Sequence, residues 1–262
     1  MTSRPVEAAS PISESPGQRR IRAVTLDYWN TLVDDIEEEG ERKTMRRDAI
    51  RALLEAYDYA VDTSELHDLY SRAGREAVRW WADDHRGYTT EQRIRWMLSW
   101  VDVSPPEDCE HLAAAVAVID DALLAYPPPL FHGAVDLLSA LASRVPLAII
   151  SDTGFASGHG QNRVLDLYGV REHFAATIYS GEIGHCKPRA EPFNAALQAL
   201  DIPAHEVVHI GDIEQTDVQG ALAMGMRAVR LDLKEDNGPS AAEYVARSYG
   251  ELLEYLLSNG LA

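Results

Sequence analysis

Residues 207–231 read VVHIGDIEQTDVQGALAMGMRAVRL. The β-branched run Val207 to Ile210 stops at Gly211-Asp212, a helical pattern from Gln219 to Met224 is broken by Gly225, and a second apolar run, Arg227 to Leu231, ends at Asp232. Strand, helix and strand in such close succession predict a parallel pair with its crossover helix on one face. Asp212 and Asp217 fall in the loop beyond the first of these strands, the end of a parallel sheet where ligands bind.

Working outward, three earlier segments repeat the form. Ile21 to Leu26 (IRAVTL) ends at Asp27, Val145 to Ile150 (VPLAII) runs into Ser151-Asp152, and Ala176 to Tyr179 (ATIY) runs into Ser180-Gly181. Helical patterns at Ala134 to Ala142, Arg163 to Tyr168 and Pro192 to Leu200 lie between them. The alternation predicts an α/β fold, a Rossmann-like parallel sheet with helices on both faces. One stretch breaks the rhythm. Residues 35–129 are helical in pattern, hold four of the five Trp and close on Pro127-Pro128-Pro129. They read as an all-helical domain inserted after the first strand, leaving residues 21–34 and 130–262 as the core and residues 1–20 as a flexible leader.

Composition narrows the function. With 24 basic against 42 acidic residues the chain carries a formal charge of −18, a field that repels nucleic acid and anionic membranes. No uncharged apolar run approaches the roughly 20 residues of a membrane span, and the N-terminus lacks the apolar stretch of a signal peptide. A cytoplasmic protein is expected. Cys109 and Cys186 make neither a disulfide framework nor a zinc site. Only three of the 24 cations are lysines, Lys43, Lys187 and Lys234, so a lysine in a motif-like setting carries extra weight. The sequence bears no mark of a particular oligomeric state.

Four strand ends carry the chemistry. Asp27, directly after the first strand and four residues before Thr31, is a candidate nucleophile or metal ligand. Ser151-Asp152-Thr153-Gly154 offers hydroxyls and turn N–H groups for an oxyanion. Lys187, ahead of Pro188 and a helix, provides a compact positive charge. Asp212 and Asp217, opposite Asp27, make an oxygen-rich pocket suited to a hard cation such as Mg²⁺.

These four segments, in this order, resemble the motifs of the haloacid dehalogenase-like (HAD) hydrolase superfamily, and the tail GDIEQTDVQGALAMGMRAV is the most specific of them. With the sheet pattern the likeness covers about residues 21–256, and the insertion at 35–129 matches the place and character of the family's helical cap. The resemblance implies that Asp27 attacks the substrate covalently, Thr31 orders its loop, Ser151 binds the transferring group, and Lys187 neutralises charge between Ser151 and Asp27. It implies Mg²⁺ held by Asp27, Asp212 and the main chain of residue 29, with Asp217 in support. Trp29, Ser151, Asp152 and Thr153 would then face a small anionic substrate.

One position departs from the pattern. Phosphatases of the family carry a second Asp two residues after the nucleophile as general acid and base, and here that position is Trp29. An indole cannot transfer a proton in that way, and a positioned acid or base contributes about 10²–10⁴ in rate. Three readings follow: a Mg²⁺-dependent phosphatase with a good leaving group or an acid borrowed from the cap or Glu214; a hydrolase like the 2-haloacid dehalogenases, whose corresponding position is aromatic and which do without Mg²⁺; or a catalytically weak binding member. Lys43, the single cap lysine, reads as a partner in i,i+4 pairs on a solvated helix. The cap tryptophans Trp80, Trp81, Trp96 and Trp100 read chiefly as packing. Among Arg75, Arg79, Arg86, Arg93 and Arg95, one is a candidate clamp for a substrate carboxylate or phosphate.

Overall fold

A computed structural model describes residues 20–34, 40–234 and 237–261. All of the expected leader except Arg20, and the acidic run Glu37-Glu38-Glu39, lie outside these residues. Six parallel strands, β1 (Ala23–Leu26), β2 (Leu147–Ser151), β3 (Phe174–Tyr179), β4 (Val207–Gly211), β5 (Arg227–Leu231) and β6 (Tyr244–Ala246), form one sheet in the order β3-β2-β1-β4-β5-β6. Successive strands run outward from β1 first on one side and then on the other. The chain reverses direction across the sheet at β1 and β4, where a doubly wound sheet opens its ligand crevice.

Between β1 and β2 come α1 (Glu41–Glu55), α2 (Thr63–Arg79), α3 (Thr90–Ser99) and α4 (Glu110–Ala125), followed by α5 (Ala134–Ala142). Local chemistry starts these helices: Asp62 accepts from Glu65 N at 2.8 Å at the head of α2, and Thr89 and Gln92 form a reciprocal capping box at the head of α3. Ile50, Leu53, Leu66, Ile94, Met97 and Ile119 give α1–α4 an apolar core of their own. Phe155, from the loop after β2, joins it.

The remaining helices are α6 (Gly158–Leu167), α7 (Ser180–Ile183), α8 (Ala190–Leu200), α9 (Gln219–Ala223) and α10 (Tyr249–Ser258). Strand periodicity sorts the sheet's two faces. Val24, Leu26, Ile210 and Val229 pack with Leu138 of α5 and Leu252 of α10, whereas Ala23, Val207 and Ala228 pack with Phe193 of α8 and Ala221 of α9. Three elements, the short α7, β6 and α10, stand outside the strand and helix patterns of the sequence, and α6 begins five residues before Arg163. A three-residue strand offers too little alternation to be recognised, and the Gly-His-Gly opening of α6 has poor helix propensity, offset by a Ser157 cap on Gly160 N at 3.1 Å. Among the described residues no helix is long and apolar enough to cross a membrane.

Candidate active site

The helices α1–α4 meet the sheet over its carboxyl end. Trp81 Nε1 donates to Asp152 Oδ2 at 3.0 Å, Gly87 N donates to Gly184 O at 3.1 Å, and Cys186 N donates to His85 O at 2.9 Å. A Cβ on Gly87 would lie 1.9 Å from the Ser180 carbonyl, so this close approach admits only glycine. Between the two layers is a cavity of about 710 Å³, within the usual range for small-molecule sites.

Asp27, Asp212 and Asp217 converge on its floor, each offering a carboxylate oxygen within 4.8 Å of the others. Lys187 lies among them, 2% exposed, with Nζ donating at 2.6 Å to both Asp27 Oδ1 and Asp217 Oδ1. Asp217 also accepts from Ile213 N at 3.0 Å and from Thr216 Oγ1 at 3.3 Å. A Cβ on Gly211 would sit 2.3 Å from Asp217 Cγ, which explains the glycine before Asp212. The single turn of π-helix Glu214–Val218 brings Asp217 back over the end of β4.

Beneath Asp217 the network continues into the sheet. His209 Nε2 lies 3.2 Å from Asp217 Oδ1, and His209 Nδ1 lies 2.8 Å from Thr25 Oγ1, the two residues being register partners on β4 and β1. Burial pulls the His209 pKa down. A carboxylate only accepts, so the neutral ring carries its proton on Nε2 and accepts at Nδ1 from the Thr25 hydroxyl.

The site's charges are unequally compensated. Burial works against the Lys187 ammonium, but attraction from Asp217 and then Asp27 overrides it and holds its pKa above the ordinary lysine range. Burial also opposes ionisation of Asp217, where Lys187 and the His209 N–H outweigh it and keep the carboxyl well below the usual range. Asp27 shares the lysine with fewer other donors. Its burial, with repulsion from Asp217 and Asp212, raises its pKa well above the ordinary value despite Lys187. Asp212 is pushed up to about 7, by burial first and by Asp217 next. Among the described residues its buried Oδ1 accepts no hydrogen bond. One lysine does not satisfy three carboxylates.

The other residues singled out in the sequence are placed as follows. Trp29 lines the cavity, its ring edge-on to Tyr28 with centroids 4.9 Å apart. The hydrogen bonds of its turn run from Asn30 N to Val33 O and from Val33 N to Tyr28 O, and do not use the Trp29 carbonyl. Thr31 is fully buried, and its carbonyl accepts from Tyr249 Oη at 2.7 Å. Ser151 is 1% exposed and gives its hydroxyl to Gln161 Oε1 at 2.8 Å, because the fully buried Gln161 amide needs a donor there. The residues of that loop that line the cavity are 152–156. Asp152 spans the layers, accepting from Trp81 and from Lys187 N at 3.0 Å. Thr153 N donates to Ser180 Oγ at 2.8 Å, and Thr153 Oγ1 accepts from Gly181 N at 3.0 Å.

Glu214, weighed above as a borrowed acid, binds Arg230, Ser240 and Ala241 N and is not among the residues that line the cavity. Lys43, expected on a solvated face, lines the cavity with its helix neighbours Arg42, Arg46 and Arg47. Trp80 stacks on Trp96 at 3.4 Å and Trp96 meets Trp100 at 5.3 Å, so these three serve packing, whereas Trp81 faces the cavity. Of the five arginines weighed as clamps, Arg93 lines it. Arg42, Arg46 and Arg47 escaped notice. Their signal was four cations within the six residues 42–47 of an otherwise acidic segment.

A six-stranded parallel sheet with an Asp directly after β1, a buried Lys and paired carboxylates after β4 defines a class. The chain belongs to the haloacid dehalogenase-like hydrolase family, whose model matches residues 21–225, and it is a hydrolase. It is 28% identical over 222 residues to the 5-amino-6-(5-phospho-D-ribitylamino)uracil phosphatase of Escherichia coli, covering 84% of this chain and 86% of that one. It is 27% identical over 240 residues to the glyceraldehyde 3-phosphate phosphatase of Methanopyrus kandleri, covering 89% of this chain and 96% of that one. In fold it is similar to the 2-haloacid dehalogenase of Pseudomonas syringae pv. Tomato, with a TM-score of 0.65 at 22% identity over 91% of this chain and 98% of that one.

Proposed function

We propose that this hydrolase is a Mg²⁺-dependent phosphatase that acts on a small phosphorylated metabolite through a covalent intermediate on Asp27. The observation that carries the reading is the trio Asp27, Asp212 and Asp217 around a single lysine. Its hard oxygen donors, and the buried Asp212 Oδ1 without a partner, fit Mg²⁺. When bound there, the ion would offset the carboxylates and polarise the phosphoryl oxygens. The phosphatases among its relatives support the same chemistry.

The chain's own residues divide the work. A carboxylate oxygen of Asp27 forms the new bond to phosphorus as the ester P–O bond breaks, and the leaving oxygen, with no side-chain acid beside it, takes its proton from solvent water. Water then attacks the aspartyl phosphate, releasing inorganic phosphate and restoring Asp27. Lys187 fixes the nucleophile and supplies positive charge beside it, while Asp217 holds Lys187 in place. Trp29 lines the cavity beside the nucleophile and supplies no proton. The substrates served best are therefore those whose leaving oxygen is weakly basic.

One feature favours a second reading. An aromatic side chain beside Asp27 suits a leaving halide, which departs without a proton, as in a 2-haloacid dehalogenase. A panel of phosphate esters with Mg²⁺ or with EDTA, run beside halide release from 2-haloacids, separates the two. Phosphate release that stops in EDTA is the expected result. Metal-independent halide release would overturn the phosphatase.

Asp212 gives the metal a pH signature. Its folded pKa of about 7 stands above the ordinary 3.8, so between these values the folded state keeps a proton that the unfolded chain has released. The stability this contributes is full below 3.8 and disappears as pH rises through about 7. Mg²⁺ competes with that proton, so it is expected to raise the melting temperature more at pH 8 than at pH 5.5. An equal shift at both would count against Asp212 as a ligand.

A further inference from the structure

The segment 35–129 holds 21 acidic and 11 basic residues. Yet, among the described residues, every charged side chain that it sends to the cavity wall is a cation: Arg42, Lys43, Arg46, Arg47 and Arg93. The cavity's carboxylates, Asp27, Asp152, Asp212 and Asp217, all come from the loops of the sheet. Arg42 is accounted for by the Tyr126 carbonyl, which accepts from its Nε at 3.1 Å and its Nη2 at 2.6 Å.

Arg46 and Arg93 differ. Arg93 is 6% exposed, with Cζ 3.9 Å from the centroid of the Phe155 ring, and Arg46 Cζ lies 5.4 Å from the same centroid. The Nε of each is buried without a hydrogen-bond partner, and neither pairs with a carboxylate among the described residues. Arg93 also meets the Tyr88 side chain, its Cζ 5.9 Å from that ring centroid. Stacking on an aromatic ring returns only part of what burying a guanidinium costs. Leaving a buried donor unmade is costly, more so when the group is charged, so these aromatic contacts do not balance two guanidiniums that also repel each other. An oxyanion does, because it accepts from both forks at once. Phe155 lies in the same loop as Asp152 and Thr153, and the pair opens into the cavity that holds Asp27.

We infer that Arg46 and Arg93 form a second anion site in this cavity, so that the substrate is a phosphomonoester bearing a further carboxylate or phosphate. The assignment rests on the phosphatase reading for the identity of the first anion, and the following experiment separates the two. Calorimetric titration in Mg²⁺ compares alkylphosphonates of about three to six carbons with phosphonocarboxylates and bisphosphonates of equal length, none of which can be hydrolysed. The doubly anionic probes are expected to bind at least about tenfold tighter at the best length, a difference of about 1.4 kcal/mol. Whether carboxylate or phosphonate wins identifies the second group. In Arg46→Gln and Arg93→Gln the ratio should fall to about one, and Arg46→Lys should restore part of it. Because Arg93 is buried, Arg46→Gln carries the test if the Arg93 variant does not fold.

Equal affinities in the wild type, or a preference that survives both substitutions, would overturn the arginine site and leave the phosphatase standing. Dicarboxylates of matching length that bind through Arg46, with no phosphonate binding at all, would overturn the phosphatase and leave the anion site. Failure of every probe to bind would count against both.

Discussion

Lys187→Met is expected to abolish phosphate release, by at least about 10³-fold, and to destabilise the fold by about 3–5 kcal/mol. The substitution keeps the unbranched stem of the side chain, one atom shorter, but removes the ammonium that Asp27 and Asp217 both contact at 2.6 Å. Three carboxylates would then share a buried pocket with no neighbouring cation among the side chains that touch them. The nucleophile would hold a proton, and a protonated carboxyl does not attack phosphorus. The sign with pH is the sharper test. In the wild type Asp217 is held below its ordinary pKa, so its contribution is present above that value and is lost as pH falls. In the variant the same carboxyl is raised, and protonation relieves the repulsion. The destabilisation, read from urea unfolding, should therefore shrink between pH 8 and pH 5.5. A loss of stability that does not change with pH would mean that Lys187 acts by packing and not by charge.

Trp29→Asp is expected to raise turnover of alkyl phosphates by about 10²–10⁴-fold, with little effect on aryl phosphates, whose leaving oxygen needs no proton. A carboxyl at this position would be partly buried beside Asp27 and Asp212. Burial and like charge both push its pKa up, the condition for a general acid near neutral pH. The cost is packing, since Trp29 meets the Tyr28 ring and packs at the edge of two apolar clusters. A loss of about 1–3 kcal/mol follows, so rates should be compared well below the variant's melting temperature. Trp29→Asn opens the same space without a transferable proton. If it matches Trp29→Asp, or if aryl and alkyl esters gain alike, access to the cavity is the limitation and proton transfer is not.

Much of the fold was legible because its signals are local. A β-branched run that stops at Asp, Ser or Gly marks a strand whatever surrounds it, and five such runs with helical patterns between them leave few alternatives to a parallel sheet. The carboxylates and the lysine were legible for a related reason: the loop after a parallel strand lies at the ligand end of the sheet, so position in the chain implies position in the site. β6 and α10 were not, being short or without a neighbouring signal. Nor was the inward turn of Arg46 and Lys43. Four cations in the acidic segment 35–129 read equally well as a solvated helix face until the rest of the molecule shows which face is covered.

The sequence by itself determined the architecture, the order of the candidate site residues and the presence of an indole two residues after Asp27, all of which are written in short stretches of chain. Tertiary structure decided how charge is shared. Asp27, Asp212 and Asp217 carry the same functional group, yet the pKa of Asp217 is held down while those of the other two are raised, because Lys187 and the end of β4, with His209 and the Ile213 N–H, converge on Asp217 from separate parts of the chain. It also decided that Ser151 turns to Gln161, and that Arg46 and Arg93, 47 positions apart in the chain, approach one phenyl ring. A pKa and the balance of a buried guanidinium are sums over neighbours in space, and the chain specifies those neighbours only by folding.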